Sequence, residues 1–306
     1  MQLITVKSMS TIVQTAPAAR RNEVGPTVWA TLGMMPFVVF AALFLVIPTA
    51  LLLVGAFLDR SGNFTLVNMN ELFANPAIVS SFWLSIKISF ASALGGAFIG
   101  FFVAYAVILG GLPNWMRGAV MTFSGVASNF AGVPLAFAFL ATLGRVGLVT
   151  MLLRDWLGFN LYSTGFNILS FFGLTLVYLY FQIPLMVLVI APALDGLKKE
   201  WREANAVLGG SDFDYWRRIA LPILFPSILG ATLLLFANSF GAVATAYALT
   251  GSSLPIIPIQ LMAQIRGDVL NNPNLGYAIA FGMVIITSLS SGAYIWLRSY
   301  SERWVR

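Results

Sequence analysis

The feature that most constrains this chain is a series of long stretches with almost no charged side chains. Hydrophobic residues make up 59% of the 306 residues and charged residues only 9%, whereas soluble domains carry roughly 25% charge. A helix needs about 20 apolar residues to cross the hydrocarbon layer of a membrane, and six stretches reach that length. The sequence therefore predicts an all-α integral membrane protein with these six spans: Thr31–Leu58, Ser80–Leu109, Gly118–Leu143, Ile168–Ala191, Ile223–Leu249 and Leu275–Leu297.

The composition excludes several kinds of chemistry. The chain has no Cys, which removes disulfides, thiolate nucleophiles and Cys-ligated metals. It has no His, which removes the commonest metal ligand and the commonest general base near neutral pH. Only 11 residues are acidic, so a carboxylate site within the membrane is also disfavoured. A membrane-embedded enzyme is therefore a disfavoured interpretation, and the net charge of +6 indicates cytoplasmic anchoring rather than nucleic-acid binding.

Lysine and arginine are distributed unevenly between alternate loops. Twelve of them lie on the side that holds both ends of the chain and the loop after the fourth span, and four lie on the opposite side. Because positively charged loops stay in the cytoplasm, both termini are predicted to be cytoplasmic, and the first span is predicted to act as an uncleaved anchor. The predicted organisation is a tail of residues 1–30, a first helix and outer loop over 31–79, a core over 80–300 and a tail of 301–306.

The longest polar segment between spans lies after the fourth span. Residues Asp195–Leu221 hold ten of the 28 charges of the chain, five basic and five acidic. Helix formers and an apolar stripe predict a helix over Leu197–Leu208, which Gly209 ends because glycine reaches the left-handed conformation. Ser211 is then placed to cap a second short helix, and Pro222 is predicted to mark the entry into the fifth span. The sequence thus predicts a helix–turn–helix on the cytoplasmic surface, which is a suitable docking surface for another protein.

This loop also carries a motif with fixed spacing. It reads Glu203-Ala204-Asn205, three residues, Gly209, nine residues, and Ile219-Ala220-Leu221-Pro222. The pattern resembles the motif E-A-A-x3-G-x9-I-x-L-P of permeases from binding-protein-dependent ABC importers with the type I fold. Every spacing matches, and one residue departs from the pattern, because Asn205 stands where the family usually has Ala.

The resemblance covers about residues 80–300 and includes Val133-Pro134, Gly144, Gly147 and Ile183-Pro184. It implies the type I ABC importer permease fold, with six spans and a coupling helix–turn–helix (coupling loop 195–222) between helices four and five. It also implies a location in the bacterial inner (plasma) membrane. The coupling residues that it implies are Glu203, Ala204, Gly209, Ile219, Leu221 and Pro222.

The same resemblance implies the partners. They are a dimer of ATP-binding cassette subunits that hold ATP and Mg, a second related permease that forms a heterodimer with this chain, and a periplasmic or extracellular solute-binding protein. The chain itself is expected to bind no cofactor and no nucleic acid, and to lie in the lipid bilayer.

The chain carries no energy source of its own. No G-x4-G-K-[ST] phosphate loop is present in the sequence, and no acidic residue or His lies within a predicted span to relay protons. ATP must therefore come from a separate subunit. The alternative is a stand-alone secondary transporter, which predicts relay residues in the spans and no docking loop.

Polar residues within the predicted spans are candidates for a substrate path. Hydrogen bonding between helices also explains each of them, and both interpretations stay open. Within the family the chain looks most like the spermidine/putrescine group, which implies a small polar solute such as a polyamine. Importers of opines, thiamine, phosphonates and ferric iron are similar to that group, so the identity of the substrate stays open. The candidate path residues are Asn129, Gln182, Asn238 and Ser239.

Overall fold

The computed structural model describes residues 26–59, 61–251, 253–266 and 273–302, and this part of the chain is nearly all helical. The predicted tail up to residue 25, Arg60 and residues 303–306, which carry part of the charge bias, lie outside the described residues. The helices are α1 Pro26–Ala41, α2 Ile47–Gly55, α3 Val67–Ala74, α4 Pro76–Leu109, α5 Asn114–Asn129, α6 Val133–Leu143, α7 Leu148–Leu157, α8 Phe171–Asp195, α9 Lys199–Val207, α10 Asp212–Tyr215, α11 Leu221–Phe240, α12 Val243–Thr250, α13 Ile257–Arg266 and α14 Pro273–Glu302.

The chain divides into two units, one that ends at Leu51 and one that begins at Leu52. In the first unit, α1 continues through a π-helical turn at Ala42–Val46 into the start of α2. Its side chains from Met34 onward are apolar except Thr49, and most are exposed, as expected of a helix whose surroundings are lipid or another protein. The second unit contains all the remaining helices.

The prediction of six spans is confirmed for the described residues. Six helical stretches are long and apolar enough to cross a membrane: Gly33–Gly55, Pro76–Leu109, Val133–Leu157, Phe171–Asp195, Asp212–Phe240 and Asn274–Ser299. Four of the predicted spans correspond to these stretches with shifts of a few residues at their ends. The predictions for the third and fifth spans were wrong in one respect, because neither is a single helix.

The third crossing consists of α5 and α6, interrupted at residues 130–132. Arg117, near the start of α5, pairs with Asp195 at the end of α8 at 2.6 Å. Leu143, which ends α6, accepts a hydrogen bond from the Tyr162 hydroxyl at 2.9 Å and packs with the cluster that contains Leu174, close to the start of α8. The pair α5–α6 therefore runs the length of α8, and we assign it as the third crossing. The stretch Val133–Leu157, which is α6 and α7, is also long and apolar enough to be a membrane span.

The fifth crossing is interrupted in the same way. The helix α11 ends at Phe240, a turn at residues 241–242 follows, and α12 begins at Val243. Leu224 and Leu235 of α11 belong to one buried cluster, whereas Leu249 of α12 belongs to another that lies around the start of α8. Two helices with a turn between them thus replace the single predicted helix.

The core of the second unit is the contact between α4 and α8. Gly96 and Gly100 lie four residues apart on one face of α4, and the sequence motif of two small residues at this spacing allows close helix approach. A Cβ atom on Gly96 would lie 2.6 Å from the Gln182 Cβ, and one on Gly100 would lie 2.6 Å from the Met186 Cβ. Both glycines are therefore needed for close packing of the two helices. The two helices run parallel, because residue numbers increase in the same direction along both of them.

Candidate functional site

The segment between α8 and α11, residues 196–220, is called the charged loop here. Its first helix, α9, begins at Lys199 and ends at Val207, and Gly209 beyond the C-cap residue Leu208 has φ +77°. The Gly209 N–H donates to the Ala206 carbonyl at 3.0 Å, and the Gly210 N–H donates to the Asn205 carbonyl at 2.9 Å. The predicted turn at Gly209 is therefore confirmed, and it closes the helix by satisfying its last carbonyl groups.

The second helix begins with a reciprocal cap. The Asp214 N–H donates to the Ser211 Oγ at 3.2 Å, and the Ser211 N–H donates to the Asp214 Oδ2 at 3.2 Å. The prediction that a separate short helix precedes the fifth span was wrong, because α10 continues through a π-helical turn at Trp216–Ala220 directly into α11. Pro222 lies in the first turn of α11, directly after this π-helical turn, and its missing N–H interrupts the regular hydrogen bonding of the continuous helix there.

Two ion pairs hold the charged loop together. The Arg202 guanidinium donates to both carboxylate oxygens of Asp212, at 3.0 and 2.9 Å, and so connects α9 to α10 across the turn. This carboxylate raises the pKa of the Arg202 guanidinium above its ordinary value through its hydrogen bonds and charge. Arg218 lies 3.5 Å from Asp214 on the second helix. Sequence reasoning missed the Arg202–Asp212 pair. The signal that could have found it is the presence of opposite charges on either side of the Gly-Gly turn.

The outward surface of the charged loop combines a free carboxylate with apolar tips. Glu203 is exposed, and the ion pairs of the described residues do not include it. Val207 is 88% exposed, Leu208 87% and Phe213 71%. Of the other predicted coupling residues, Ala204, Gly209, Leu221 and Pro222 are exposed and Ile219 is half-buried.

An aromatic contact joins the charged loop to α4. The ring centroid of Trp216, in the π-helical turn, lies 5.1 Å from that of Tyr105 near the end of α4, in an edge-to-face arrangement. Tyr215 beside it is buried. Sequence reasoning missed this contact because the two aromatic residues are far apart along the chain. The contact attaches the charged loop to α4, in addition to its chain connection with α11.

The breaks in the third and fifth crossings meet each other. Gly132, with φ +78°, donates its N–H to the Thr245 Oγ1 at 2.6 Å. The Tyr178 hydroxyl donates to the Ala242 carbonyl at 3.0 Å, and Tyr178 is buried. Tyr178 lies two turns into α8, about 10 Å from its first residue at 1.5 Å per residue. Both breaks therefore lie within the membrane-spanning region, toward the end opposite the charged loop.

The four candidate path residues fall into two pairs. Asn129 and Asn238 are exposed and come just before the two breaks. Gln182 is fully buried and donates through Nε2 to the Leu235 carbonyl at 2.7 Å, while its Oε1 has no hydrogen bond. Ser239 is buried and donates to the Ser89 and Phe236 carbonyls. The structure thus brings Gln182 and Ser239 into contacts between helices, whereas Asn129 and Asn238 face outward from the helix bundle.

The chain resembles several transport proteins. A probable sulfate transport system permease protein from Chlorella vulgaris is 25% identical over 219 residues, which cover 70% of this chain and 77% of the relative. The spermidine/putrescine transport system permease protein PotC of Haemophilus influenzae is 25% identical over 256 residues, which cover 82% of this chain and 90% of the relative. The chain is a homologue of ABC importer permeases. No family model matches it.

The chain also has the fold of a solved transporter. In the crystal structure of a bacterial alginate ABC transporter in complex with an alginate pentasaccharide-bound periplasmic protein, one chain matches with a TM-score of 0.64 at 17% identity. The match covers 92% of this chain and 95% of that chain. The predicted fold of an ABC importer permease is therefore confirmed over nearly the whole length.

Lys87 and Tyr180 lie in ordinary packing environments. Lys87 lies over the Trp83 ring at 5.2 Å. It is about two and a half turns before Gly96 on α4, close to the level of the first turn of α8, which is where interfacial Lys and Trp residues lie. Tyr180 packs against Phe130 and Phe139. Within the described residues, no three His, Asp or Glu side chains come together as metal ligands.

Proposed function

We propose that this chain is the membrane-spanning permease subunit of an ATP-driven importer, which forms half of a solute path and couples it to a separate ATPase. The observation that carries the proposal is the charged loop. It is a structured, capped and internally paired surface with apolar tips at Val207, Leu208 and Phe213, and a solvated connection between spans requires none of these features. Exposed apolar side chains next to a free carboxylate are suited to a protein groove that carries basic residues.

The coupling step follows from how the charged loop is attached. Its second helix is continuous with α11, and Trp216 contacts Tyr105 of α4. A partner that moves the loop therefore moves two core helices as rigid elements. We propose that closure of an ATPase dimer, which grips Glu203, Ala204, Gly209, Ile219, Leu221 and Pro222, changes which side of the membrane the path opens to.

We propose that the path runs along the two breaks. Irregular backbone within a membrane is stable only where it is covered by protein or lines a water-filled cavity, and exposed amides in lipid are costly. Asn129 and Asn238 lie exposed beside these breaks, which supports a protein or water environment on this face. A second permease of the same fold is the proposed cover, and the path then lies between the two subunits.

The proposed substrate is a small polar solute. Amide and hydroxyl groups line the breaks, and they bind solutes of either charge. A polyamine is the specific candidate from the resemblance, and the exposed part of the Tyr247 ring supplies a face that attracts cations. A relative named for sulfate and one named for spermidine and putrescine match equally in identity, so binding assays on the associated solute-binding protein decide the substrate.

The assembly is tested by purifying the chain with its natural partners and counting subunits by native mass measurement. We expect two ATPase subunits, one copy of this chain and one copy of a second, related permease. Two copies of this chain with no other permease would contradict the heterodimer. Solute uptake by vesicles that contain this chain alone would contradict the importer and support a stand-alone secondary transporter.

Path and topology are tested together by single cysteines in this cysteine-free chain. We expect an impermeant thiol reagent added outside intact cells to label Ser61→Cys and leave Ser211→Cys unlabelled. In the reconstituted complex, Asn129→Cys and Asn238→Cys should react with a water-soluble reagent, because thiolates form in water and not in lipid. Phe98→Cys is the matched control, since Phe98 is 68% exposed on an apolar face of α4.

Two results would count against these assignments. Labelling of Ser211→Cys in intact cells without labelling of Ser61→Cys reverses the proposed orientation. Equal reaction rates for Phe98→Cys and Asn129→Cys mean that the breaks do not line an aqueous path.

A further inference from the structure

We propose that Asn205 is a positioning residue, which sets the angle between the two helices of the charged loop, and that position 210 is glycine because of Asn205. The inference rests on the proposed coupling function of this loop. Asn205 occupies the motif position where Ala is usual, so the arrangement is a particular property of this chain rather than of the motif.

The Asn205 side chain crosses the turn. Its Nδ2 donates to the Ser211 carbonyl at 3.0 Å, which connects the last turn of α9 to the cap of α10. Asn205 is half-buried, whereas most of the residues around it on α9 are exposed. The amide therefore lies in the angle between the two helices and fills it.

The three atoms nearest to a Cβ added at Gly210 all belong to this side chain. A Cβ on Gly210 would lie 2.7 Å from both the Cγ and the Nδ2 of Asn205, and closer still to its Oδ1. Carbon atoms at such distances overlap, so one of the two groups has to move. Gly210 is not among the glycines with positive φ, so its backbone conformation suits any residue.

The neighbouring Gly209 shows the opposite pattern. Its φ is +77°, and an added Cβ would meet no atom within 4 Å. Gly209 is thus needed for backbone conformation and Gly210 for space. The two positions are thus glycine for different physical reasons, and mutation of each one separately distinguishes these reasons.

The consequence lies in the apolar tips that the turn connects. Leu208 precedes the turn and Phe213 follows it, and both are largely exposed. The Asn205 amide and the bidentate Arg202–Asp212 pair are two crossings of the same turn, and together they hold these tips at one relative position. An alanine at position 205 reaches no carbonyl and leaves only the exposed ion pair, which water and salt weaken.

The test is a double-mutant cycle with Asn205→Ala, Gly210→Ala and both together, in the full complex reconstituted in vesicles with its ATPase subunits and solute-binding protein. Readouts are the solute transported per ATP hydrolysed and the affinity of the ATPase subunits for the permease. We expect Gly210→Ala to lower the transport ratio about threefold, because the added methyl group displaces the end of the flexible Asn205 side chain and so breaks its hydrogen bond to Ser211. Asn205→Ala should lower it about threefold through loss of one neutral hydrogen bond.

The double variant is the decisive one. With the amide removed there is room for a methyl group at position 210, so the double variant should match Asn205→Ala alone within about twofold, the usual limit of additivity for changes that do not interact. Gly118→Ala, at a helical glycine with no atom within 4 Å of an added Cβ, is the control for a methyl group elsewhere. Unchanged thermal midpoints of the purified variants separate positioning from general unfolding.

Two outcomes overturn the assignment in different ways. If Gly210→Ala is equally harmful with and without Asn205, the pair is not coupled and the positioning role is wrong. If the wild-type complex shows no ATP hydrolysis in response to solute-loaded binding protein, the proposed coupling function fails first, independently of either substitution.

Discussion

Replacing Gly209 with valine is expected to abolish transport while the protein stays folded and inserted in the membrane. Gly209 has φ +77°, a conformation that costs an ordinary residue about 1–2 kcal/mol and a β-branched residue more. Valine therefore forces the turn into another conformation, which separates α9 from α10 and moves Leu208 away from Phe213. The measurement is solute uptake together with binding-protein-stimulated ATP hydrolysis in reconstituted vesicles.

The matched control is Gly158→Val. Gly158 follows α7, has φ +62°, and like Gly209 has no atom within 4 Å of an added Cβ. The substitution carries the same backbone strain outside the charged loop, so transport should persist. Glu203→Ala should cause a milder loss than Gly209→Val, because an exposed ion pair with a partner contributes little. Normal uptake and normal stimulated hydrolysis in Gly209→Val would show that the charged loop does not couple the two processes.

Replacing Gly100 with leucine is expected to prevent α4 from packing against α8. A Cβ at this position would lie 2.6 Å from the Met186 Cβ and 2.8 Å from the Ile183 carbonyl oxygen. Because backbone atoms of α8 form part of the contact, a rotamer change cannot relieve it, and the expected cost is about 3 kcal/mol. The yield of monodisperse protein in detergent and its thermal unfolding midpoint measure this loss.

Gly118→Leu is the control for the second prediction. Gly118 also lies in a helix, and an added Cβ there meets no atom within 4 Å. Its unfolding midpoint should stay close to that of the wild type. Equal loss of folded protein in both variants would mean that leucine harms insertion in general and that the α4–α8 contact is not the cause.

The number of membrane crossings was predictable from the sequence because one physical requirement dominates it. A segment in hydrocarbon must satisfy its own backbone hydrogen bonds and be apolar over about 20 residues, and both properties are local. The turn at Gly209 and the cap at Ser211 were predictable for the same reason, since a glycine with positive φ and a Ser–Asp capping pair act within one turn of helix.

The breaks in the third and fifth crossings were not predictable from composition. Residues 130–132 and 241–242 are uncharged and lie within apolar stretches, so hydropathy runs through them without interruption. What stabilises the breaks comes from other parts of the chain, namely the Thr245 hydroxyl for the Gly132 N–H and the Tyr178 hydroxyl for the Ala242 carbonyl. A broken helix in a membrane is stable only when other residues form hydrogen bonds with its free backbone groups, and the sequence alone does not show which residues these are.

The sequence by itself determined the membrane-spanning class, the number of crossings and the residues of the charged loop, because these depend on local apolarity, spacing and turn chemistry. Only the tertiary structure decided which polar residues are enclosed between helices, as Gln182 and Ser239 are, and which face outward, as Asn129 and Asn238 do. It also decided that Asn205 crosses the turn toward Ser211. The physical reason is that the side of a helix that becomes buried depends on its neighbours, and in an apolar span every side satisfies the membrane equally well.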